Sequence, residues 1–300
     1  MNNLQQLKGL RERLKEAMLR LEPYLRKNKI EAFRLLNPDP PGFPLAIDIY
    51  GKNAVIHIFE YTVTDFIPDI EKSIRELMGI TDCFYKDRTG EGLVLPVKPH
   101  KEIVVEEYGQ KFLINLSDYK DTGLFPDHRE TRLWIKSLSP GKTVLNTFAY
   151  TGSFSVHSAA NGAKMTHSVD LSKTYCEWIK KNLELNGLPL EKNWVYKMDT
   201  LEFFRYATRK KLLFDIIVID PPTFSKNKGK HFSVQKDHPK LINAALELMA
   251  PDGFILFSNN YKDFWLETGA LSPCKAVEKT DTIPPDFAGT TPHRCWVIKR

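Results

Sequence analysis

The feature that most constrains the fold is a series of four apolar runs in the middle of the chain, each ending in a polar residue. The segments read VLNTFAYTGSFS, HSVDLS, YKMDT and DIIVIDPPTF, with helix-like sequence between them. This alternation of short strands and helices predicts a parallel sheet covered by helices. In such sheets the ligand lies across the carboxyl ends of the strands, where Asn146, Asp170, Asp199 and Asp220 are expected.

The turn after the first strand indicates which kind of ligand this edge binds. A dinucleotide fold needs GxGxxG, because its backbone approaches a pyrophosphate closely. Residues 149–154 read AYTGSF, with Gly152 as the one glycine, and no Walker-type phosphate loop occurs in the sequence. S-adenosylmethionine (SAM) carries no phosphate, so one glycine beside its methionine part is sufficient. Asp170 follows Gly152 by 18 residues, close to the ~20 expected of an acid that binds ribose hydroxyls. The alternative is a turn that only connects a strand to a helix.

Two further acids follow the third and fourth strands. Asp199 either accepts a hydrogen bond from the adenine amino group or caps a helix predicted over residues 201–209, and the two roles are compatible. Asp220 is followed by Pro221 and Pro222, which fix the backbone and remove two N–H donors. The DPPTF sequence therefore predicts a rigid lip on which a planar base can lie against the donor methyl group. The alternative is an ordinary turn.

Several motifs recur together in one bacterial family. They are LINLSDYKDTGLFPDHRETR, NTFAYTGSFSVHSAANGA, VDLSKTYCEWIKKNLELNG, IDPPTFS, VQKDH and LFSNN. From about Ile30 to Ile298 the chain resembles the guanine-N7 methyltransferase half of bifunctional enzymes that modify 23S ribosomal RNA, a class I SAM-dependent family related to cytosine-C5 methyltransferases. The resemblance implies an α/β fold, with a Rossmann-like seven-stranded class I methyltransferase sheet and a small N-terminal α/β subdomain. It also implies SAM as cofactor and large-subunit ribosomal RNA, or its precursor, as substrate.

The resemblance extends to the residues around the cofactor. In the family, the DTGLFPDHR-like segment packs against the methionine end of SAM, which implies contacts from Asp127 and Arg129. The alternative for these two residues is a helix cap and a solvent-exposed charge. The residues expected to bind SAM are Asp127, Arg129, Asn146, Phe148, Tyr150, Thr151, Gly152, Ser153, Asp170, Leu171, Ser172, Asp199, Thr200 and Asp220.

The chemistry at the lip favours guanine N7 over cytosine C5 as the methyl acceptor. Cytosine C5 becomes nucleophilic only after a thiolate has added to C6, so a C5 enzyme needs a cysteine at the lip. The cysteines of the chain are Cys83, Cys176, Cys274 and Cys295. None of them directly follows Asp220 or the strand predicted over Gly253–Ser258. Guanine N7 has a free in-plane lone pair, so its methylation needs only alignment and shielding of the developing charge.

A second group of residues is expected at the reacting base. These residues are Asp220, Pro221, Pro222, Phe224 and Asn259. Asn259 and Asn260 either hydrogen-bond a purine edge or form a polar turn, and Phe224 either stacks on the target base or fills the core. From a different functional class, the chain could be a SAM-binding accessory module without turnover. The intact DPP and Asn-Asn sequences favour an enzyme.

Two basic clusters contribute to the formal net charge of +6. Residues 1–30 hold eight Lys/Arg against three Glu, and leucines at three- and four-residue steps predict a basic amphipathic helix. That helix either packs on the catalytic domain with its basic face in solvent or contacts RNA phosphates. The second cluster follows the lip directly and is expected to contact the RNA backbone. It comprises Lys226, Lys228, Lys230, His231 and Lys236.

The chain is expected to contain three parts. They are the basic helix over residues 1–30, a small α/β subdomain over 31–111 and a SAM-dependent methyltransferase domain over 112–300. Within them the sequence predicts short strands at EAFRLL, LAIDIYG, NAVIHIFEY, Ile103–Tyr108, Lys111–Leu116 and Gly253–Ser258, and helices over Asp69–Met78, Asp127–Leu138 and Pro239–Met249. The segments Cys274–Thr280 and His293–Lys299 predict an antiparallel pair that completes the methyltransferase sheet.

Composition restricts the location and the partners of the chain. The sequence has no run of about 18 apolar residues and no apolar signal segment, which argues against membrane association and export. Four scattered cysteines without CxxC argue against a disulfide framework or a zinc cluster. A cytoplasmic enzyme without a metal is therefore expected. The family's second methyltransferase half and upstream RNA-binding domain have no room in this chain, so a separate RNA-binding or methyltransferase partner protein is a further expectation.

Overall fold

The computed structural model describes residues 3–38, 43–227 and 230–300, which form two compact units. The first unit comprises Met1–Pro126 and Pro285–Ala288, and the second comprises Asp127–Pro284 and Gly289–Arg300. The division lies downstream of residue 112. A catalytic domain that starts at residue 112 stays a prediction.

The first unit combines helices with a mostly antiparallel sheet. Its elements are α1 (Asn3–Asn28), β1 (Ala32–Leu36), β2 (Leu45–Tyr50), β3 (Asn53–Ile58), α2 (Ile67–Met78), β4 (Asp82–Asp87), β5 (Glu102–Glu107) and β6 (Gln110–Asn115). The sheet order is β1-β2-β3-β4, and β5 and β6 form a separate hairpin. Only β3 and β4 run parallel among these described strands, and α2 provides the crossover that a parallel pair requires. The sequence did not predict β4, because DCFYKD lacks a clear apolar alternation.

The first helix packs into the core of this unit. Leu10, Leu14, Leu21 and Leu25 are buried together with apolar side chains of the sheet. The predicted amphipathic character of α1 is therefore confirmed for these positions, with the apolar face in the first unit. At the end of α2, Gly79 adopts a φ of 64°, the left-handed conformation expected of a glycine that terminates a helix.

The second unit alternates strands and helices. Its elements are α3 (Arg129–Leu138), β7 (Thr143–Thr147), α4 (Ser153–Ala160), β8 (Met165–Asp170), α5 (Lys173–Leu185), β9 (Asn193–Lys197), α6 (Thr200–Arg209), β10 (Phe214–Ile219), β11 (Phe224–Asn227), β12 (Lys230–Ser233), α7 (Val234–Leu246), β13 (Met249–Asn259), β14 (Lys275–Glu278) and β15 (Arg294–Lys299). Within the described residues, seven strands form one sheet in the order β14-β15-β13-β10-β7-β8-β9. The strands β9, β8, β7, β10 and β13 are parallel, and β15 pairs antiparallel with both β13 and β14.

This topology confirms the fold predicted from sequence. The central strand β10 reads FDIIVI, a nearly continuous apolar run, because helices cover both faces of a parallel sheet and exclude water from it. The predicted antiparallel pair at the end of the chain is also present. No helix among the described residues combines the length and the apolar character that crossing a membrane requires.

Two local predictions after the lip were wrong. The structure contains a hairpin of β11 and β12 where no strands were predicted. The next helix begins at Val234 instead of Pro239, because the N–H of Ser233 donates to the Asp237 carboxylate (2.8 Å) and so closes the helix start upstream of the proline. Pro239 is the sixth residue of α7 and lacks the N–H that would bond the carbonyl of Gln235, and Nδ1 of His238 lies 3.0 Å from that carbonyl oxygen instead.

Candidate active site

Polar residues at the strand ends lie along one edge of the seven-stranded sheet. They are Asn146 in β7, Asp170 at the end of β8, Asp199 after β9, Asp220 after β10 and Asn259 at the end of β13. The parallel register pairs Thr147 with Val169 on one side and with Ile219 on the other, so the strand ends are level. The structure thus brings these residues to the single edge that the sequence predicted.

The turn between β7 and α4 has a strained backbone. Phe148, Tyr150 and Gly152 have φ angles of 52°, 50° and 82°, all in the left-handed region. A Cβ on Gly152 would lie 2.9 Å from Cγ2 of Ile179, so both the backbone angle and the available space require glycine. Left-handed conformations at two non-glycine residues cost energy and cluster at ligand-binding loops. This strain supports a ligand-binding role for the turn, which stays a prediction.

Polar side chains behind the turn form a buried hydrogen-bonded group. Asn146 Nδ2 donates to Ser155 Oγ (3.1 Å), and Ser168 Oγ donates to the same oxygen (2.7 Å). Asn182 Nδ2 donates to the buried carbonyl of Thr151 (2.9 Å). These bonds hold the turn from inside the protein, and a cofactor contact from Asn146 stays a prediction. The remaining turn residue, half-buried Ser153, begins α4.

Asp170 connects this turn to the start of α5. Its Oδ2 accepts a hydrogen bond from the N–H of Tyr150 (2.9 Å), and its Oδ1 accepts one from the N–H of Ser172 (2.8 Å). Burial raises the pKa of Asp170, and the backbone hydrogen bonds oppose part of that rise. Each carboxylate oxygen has a second lone pair, so the group can also accept from ribose hydroxyls. The adjacent Leu171 is exposed at this edge.

Asp199 caps the helix that follows it. Its Oδ1 accepts hydrogen bonds from the N–H groups of Leu201 (3.0 Å) and Glu202 (3.2 Å). The capping interpretation is therefore confirmed. Thr200, the first residue of α6, is buried. Since both bonds use Oδ1, a contact between Oδ2 and the adenine amino group is compatible with the cap and stays a prediction.

Neither Asp127 nor Arg129, at the start of α3, has the structural role that was considered for it as an alternative. Asp127 does not cap α3, for which the N-cap residue is His128; it accepts a hydrogen bond from His293 Nδ1 (2.8 Å). Arg129 is 0% exposed, so the interpretation as a solvent-exposed charge is wrong. A buried guanidinium is retained only with polar partners. The contact of Asp127 and Arg129 with the methionine end of SAM stays a prediction.

Two stacked histidines lie beside Asp220. The rings of His128 and His293 have centroids 3.7 Å apart and an interplanar angle of 15°. His128 Nε2 lies 3.2 Å from Ser258 Oγ and 3.6 Å from Asp220 Oδ2. Sequence reasoning missed both histidines and Ser258. His128 stands within the DHR of a motif that was noticed, whereas no local signal in the sequence marks His293.

The charges in this cluster are set by burial and by close partners. Burial alone would lower the pKa of His293, but its hydrogen bonds with Asp127 and Cys295 raise that pKa to about 10. Burial favours the neutral form of Asp127, yet the bond from His293 holds its pKa well below the usual range. Burial and the neighbouring His293 charge keep the pKa of His128 well below its ordinary value. These shifts favour an Asp127–His293 ion pair and a neutral His128 at neutral pH, although Nε2 of His293 is buried without a hydrogen-bond partner among the described residues.

Asp220 has fewer hydrogen-bond donors than an ionised, buried carboxylate needs. Burial raises its pKa to about 6, against the opposing effects of the His293 charge and a hydrogen bond with Ser258. Its side chain nevertheless keeps 31% of its surface exposed, so a ligand at this edge can reach it. A ligand that covers the remaining surface would raise the pKa further by excluding water.

His128, His293 and Cys295 could in principle hold a metal, because their ligand atoms lie within 4.8 Å of one another. The geometry does not fit this role. Lone pairs of ring nitrogens lie in the ring planes, and two nearly parallel stacked rings do not direct them at one point. A protonated His293 also has no lone pair to offer.

The lip after β10 presents an aromatic ring to solvent. Pro221 is buried, while Pro222 and Phe224 are exposed. The Phe224 side chain is 65% exposed and meets Tyr261 edge-on, with ring centroids 5.8 Å apart, so the interpretation as a core residue is wrong. The Oγ1 of Thr223 donates to Oδ1 of Asn260 (2.7 Å), which ties the lip to the loop after β13.

Asn259 is buried at the end of β13. Its Oδ1 accepts a hydrogen bond from the N–H of Tyr261 (3.0 Å), so the polar turn that was considered for this pair of asparagines is present. Its Nδ2 is buried without a hydrogen-bond partner among the described residues. A buried amide donor without a partner is costly, and such groups are often completed by a ligand.

The expected RNA-binding lysines lie on or near the β11–β12 hairpin. Lys226 pairs with His231 across it, and Lys230 pairs with Asn227. Lys236 is exposed on α7. Lys228 lies outside the described residues.

Three of the four thiols, those of Cys83, Cys176 and Cys295, are buried. Cys176 is buried in α5, with its Sγ 3.4 Å from the carbonyl oxygen of Asp170, and Cys295 is buried in β15 opposite Ser258. Burial raises the pKa of Cys83 and of Cys176 to about 11, and it also raises the pKa of Cys274. Such environments suppress the thiolate that an attack on cytosine C6 requires.

Residues 80–295 match the family of S-adenosylmethionine-dependent methyltransferases. The chain belongs to this family. The resemblance stated from the motifs is thereby confirmed, and the cofactor of this methyltransferase is SAM.

Curated relatives of this methyltransferase cover nearly the whole chain. Ribosomal RNA large subunit methyltransferase K of Neisseria meningitidis serogroup B is 37% identical over 96% of this chain and 86% of its own length. Ribosomal RNA large subunit methyltransferase K/L of Allochromatium vinosum is 36% identical over 96% of this chain but 42% of its own length. The methyltransferase thus spans most of the first relative and less than half of the second.

A solved structure shares the architecture. SMU.776, crystallised as a complex with SAH, superposes with a TM-score of 0.86 and 27% identity, covering 98% of this chain and 82% of that one. SAH is the product that remains after SAM has lost its methyl group, so that related fold accommodates the same ligand skeleton.

The residues present in the methyltransferase fit SAM. Gly152 is required at the turn, because a side chain there would collide with Ile179 of α5. The half-buried carboxylate of Asp170 faces the same turn through its bond with Tyr150. A carboxylate suits ribose hydroxyls and would repel a 2′-phosphate.

Proposed function

We propose that this enzyme transfers a methyl group from SAM to N7 of a guanine in 23S ribosomal RNA and so forms 7-methylguanosine. The observation that carries the proposal is the composition of the lip and the adjacent end of β13, which contribute the carboxylate of Asp220, the exposed ring of Phe224 and the amide of Asn259, whose Nδ2 has no partner among the described residues. No cysteine directly follows β10 or β13, since residues 220–233 and 260–273 contain none, and Cys274 stands at the far end of the second loop, next to β14. The curated relatives named as ribosomal RNA large subunit methyltransferases support RNA as the substrate class.

The acceptor chemistry follows from the groups at the lip. Guanine presents two adjacent acceptors on one edge, N7 and O6. The buried Nδ2 of Asn259 is a donor suited to O6, which would turn the N7 lone pair towards the methyl group. Methylation leaves a positive charge on the guanine ring, and the ionised carboxylate of Asp220 would stabilise that charge. No base is needed before the transfer, because N7 carries no proton.

The cofactor would lie across the edge that precedes the lip. We assign the ribose hydroxyls to Asp170 and the adenine amino group to the free lone pairs of Asp199. The methionine end would lie at the turn that contains Tyr150 and Gly152. Asp127 and Arg129 would approach the same end.

Stacking and backbone contacts would hold the RNA. Phe224 is exposed beside Tyr261, which suits stacking of the flipped target base. Lysines on the hairpin and on α7 would neutralise phosphates, which makes binding depend on salt. The chain matches less than half of the K/L relative, so we further propose that a separate RNA-binding or methyltransferase protein contributes to substrate selection.

Methyl transfer can be tested with the purified chain, labelled SAM and 23S ribosomal RNA from cells that lack this enzyme. Nucleoside analysis is expected to show label in 7-methylguanosine, and mapping should locate it at one guanine. Asp220→Asn is the matched control, because it keeps the shape of the lip while removing its charge. Label in 5-methylcytidine would contradict the choice of N7. Bound SAM with no label in any RNA or ribosomal precursor would instead indicate an accessory module.

A further inference from the structure

A buried ion pair next to Asp220 has no direct part in the proposed transfer. His293 Nδ1 lies 2.8 Å from Asp127 Oδ2, and the side chains are 1% and 16% exposed. Taking two charges out of water is expensive, so a buried pair of this kind is weak evidence for a purely stabilising role. His128 lies between this ion pair and Asp220: its ring stacks on His293, and its Nε2 is 3.6 Å from Asp220 Oδ2.

The geometry determines the tautomer of His128. Its Nδ1 is buried without a hydrogen-bond partner among the described residues, whereas its Nε2 faces Ser258 Oγ and Asp220 Oδ2. A proton on Nδ1 would be an unsatisfied buried donor, and the Nε2 lone pair would then face a carboxylate oxygen. A proton on Nε2 avoids both costs. Neutral His128 therefore donates from Nε2 to Ser258 Oγ, and the same N–H faces the Asp220 carboxylate at 3.6 Å without a direct hydrogen bond.

The charged cluster also explains why His128 stays neutral. A protonated His293 lies 3.7 Å away, ring over ring, and two stacked imidazolium rings would repel strongly in this buried place. Asp127 neutralises His293 through Nδ1 at the edge of the ring, while the face of the same ring contacts His128. The ion pair thus fixes the position of the His128 ring, and His128 itself stays uncharged.

We propose that His293, kept protonated by Asp127, is a positioning residue that holds His128 as an Nε2–H donor and keeps the carboxylate of Asp220 ionised for methyl transfer. The catalytic role of Asp220 rests on the proposed function. The protonation states of His293, His128 and Asp220 can be measured independently of it. Without the cation, Asp220 would face burial with only neutral donors and would take up a proton near neutral pH.

Each element packed around Asp220 contributes a charged or polar group. The segment before α3 provides Asp127 and His128, α3 provides Arg132, β13 provides Ser258, and the end of the chain provides His293 and Cys295. Of these, His293 is the foremost group that opposes protonation of Asp220, followed by the hydrogen bond with Ser258, while Asp127 favours protonation. Substitution of His293 should therefore move the titration of Asp220 upwards, by about one pH unit.

The decisive experiment is NMR titration of the full chain in the absence of RNA. Carbon-13 labelled aspartate reports Asp220, assigned by its loss in Asp220→Asn, and nitrogen-15 labelled histidine reports the two rings. In the wild-type protein at pH 8 we expect imidazolium shifts for His293 and a neutral Nε2–H tautomer for His128. A neutral His293 at pH 8 would overturn the proposal without any variant having to fold.

His293→Gln and Asp127→Asn are the test variants, since each removes the cation by a different route. His293→Gln is expected to raise the titration midpoint of Asp220, and an unchanged midpoint in this folded variant would overturn the proposal. Asp127→Asn also removes an anion that favours protonation of Asp220, so its readout is His293, which should be neutral at pH 8. A His293 that stays protonated in Asp127→Asn would show that Asp127 does not hold its charge. His57→Gln is the matched control, because His57 also bonds a buried aspartate, Asp48, but in the first unit. It should leave the midpoint of Asp220 unchanged.

Methyl transfer then separates this inference from the proposed function. The acid limb of kcat/KM should move upwards in His293→Gln by the same amount as the NMR midpoint, and activity should recover at pH 8.5 to 9. A uniform loss at all pH values would contradict the positioning role and indicate structural damage. If wild-type enzyme forms no 7-methylguanosine, the proposed function fails, and the NMR titrations still decide the charge state.

Discussion

Each unit of the molecule contains a buried cluster of aspartate and histidine, and the two clusters differ in how completely the aspartate is satisfied. In the first unit, Asp48 accepts from both Arg34 Nε and Arg34 Nη2 and from His57 Nε2 (2.8 Å), and it is 3% exposed. Despite burial, these partners hold its pKa far below the usual range. In the second unit, Asp220 has one serine and one distant histidine, and burial raises its pKa to about 6.

The comparison shows that burial alone does not tell a structural carboxylate from a reactive one. A carboxylate whose lone pairs are filled by a bidentate arginine and a histidine stabilises the fold and has little capacity left for a ligand. A carboxylate with few donors and an open side is strained in its ionised form, and such groups concentrate at functional sites. Five predictions test this contrast.

The largest effect is expected on stability in the first unit. Asp48→Ala removes the carboxylate and leaves the charge of Arg34 buried beside it, which should lower the free energy of unfolding by about 3–5 kcal/mol. Because the folded pKa of Asp48 is depressed, its contribution is present above the unfolded pKa of about 4 and is lost as pH falls. Urea unfolding at pH 7 and pH 3.5 measures this difference. An equal loss at both pH values would contradict the ionic origin.

The matching change in the second unit should affect catalysis and not stability. Asp220→Asn keeps the shape of the lip and removes a charge that burial disfavours, so the melting temperature should stay constant or rise. The kcat/KM for methyl transfer should fall by about 100-fold or more, as when one electrostatic group of an active site is removed. If the variant keeps activity within tenfold of wild type, Asp220 has a structural role and no large part in catalysis.

A third aspartate lies between these two cases. Asp170 accepts two backbone bonds but remains half-buried with lone pairs to spare. Asp170→Asn should weaken SAM binding by about 10–100-fold, because bonds to charged groups contribute about 1.5–3 kcal/mol. Calorimetry with SAM measures this change. Asp215→Asn is the control, because Asp215 also accepts a bond from a backbone N–H, that of Thr143 (2.8 Å), but at the start of β7 and so at the opposite edge of the sheet.

The raised pKa of Asp220 predicts a pH dependence for the wild-type enzyme. A carboxylate with a pKa of about 6 is ionised above that value and neutral below it. The kcat/KM should therefore stay level from pH 7 to 8 and fall as pH is lowered through about 6, approaching tenfold per unit. A profile without this limb, measured at saturating SAM, would show that the ionised form of Asp220 is not required.

The smallest effect is expected from a single exposed lysine. Lys236→Ala should weaken RNA binding a few-fold and reduce the slope of log affinity against log salt by about 1. Lys211 provides the control, because it precedes β10 and so lies at the opposite edge of the sheet. The same change in slope for Lys211→Ala would argue against a localised RNA-binding surface.

Much of the second unit could be predicted because its signals are local. The apolar run of β10, the acid after each strand and the single glycine of the turn each reflect neighbouring residues, and together they indicate the sheet, its order and the cofactor. The helix cap at Asp199 was recognised as an alternative for the same reason. The start of α7 was misplaced because the bond between Ser233 and Asp237 competes with a proline signal that is equally local.

By itself the sequence determined the fold class, the edge at which a ligand lies and the chemistry of that ligand, since strand and turn patterns repeat over a few residues. Only the tertiary structure decided which buried ionisable groups form ion pairs or hydrogen bonds with one another. Asp127 and His293 are 166 positions apart, and the pairing of β13 with β15 brings Cys295 opposite Ser258 and so places His293 near Asp220. The number of donors around a carboxylate depends on such distant partners, so Asp48 and Asp220 are alike in sequence and opposite in their charge environment.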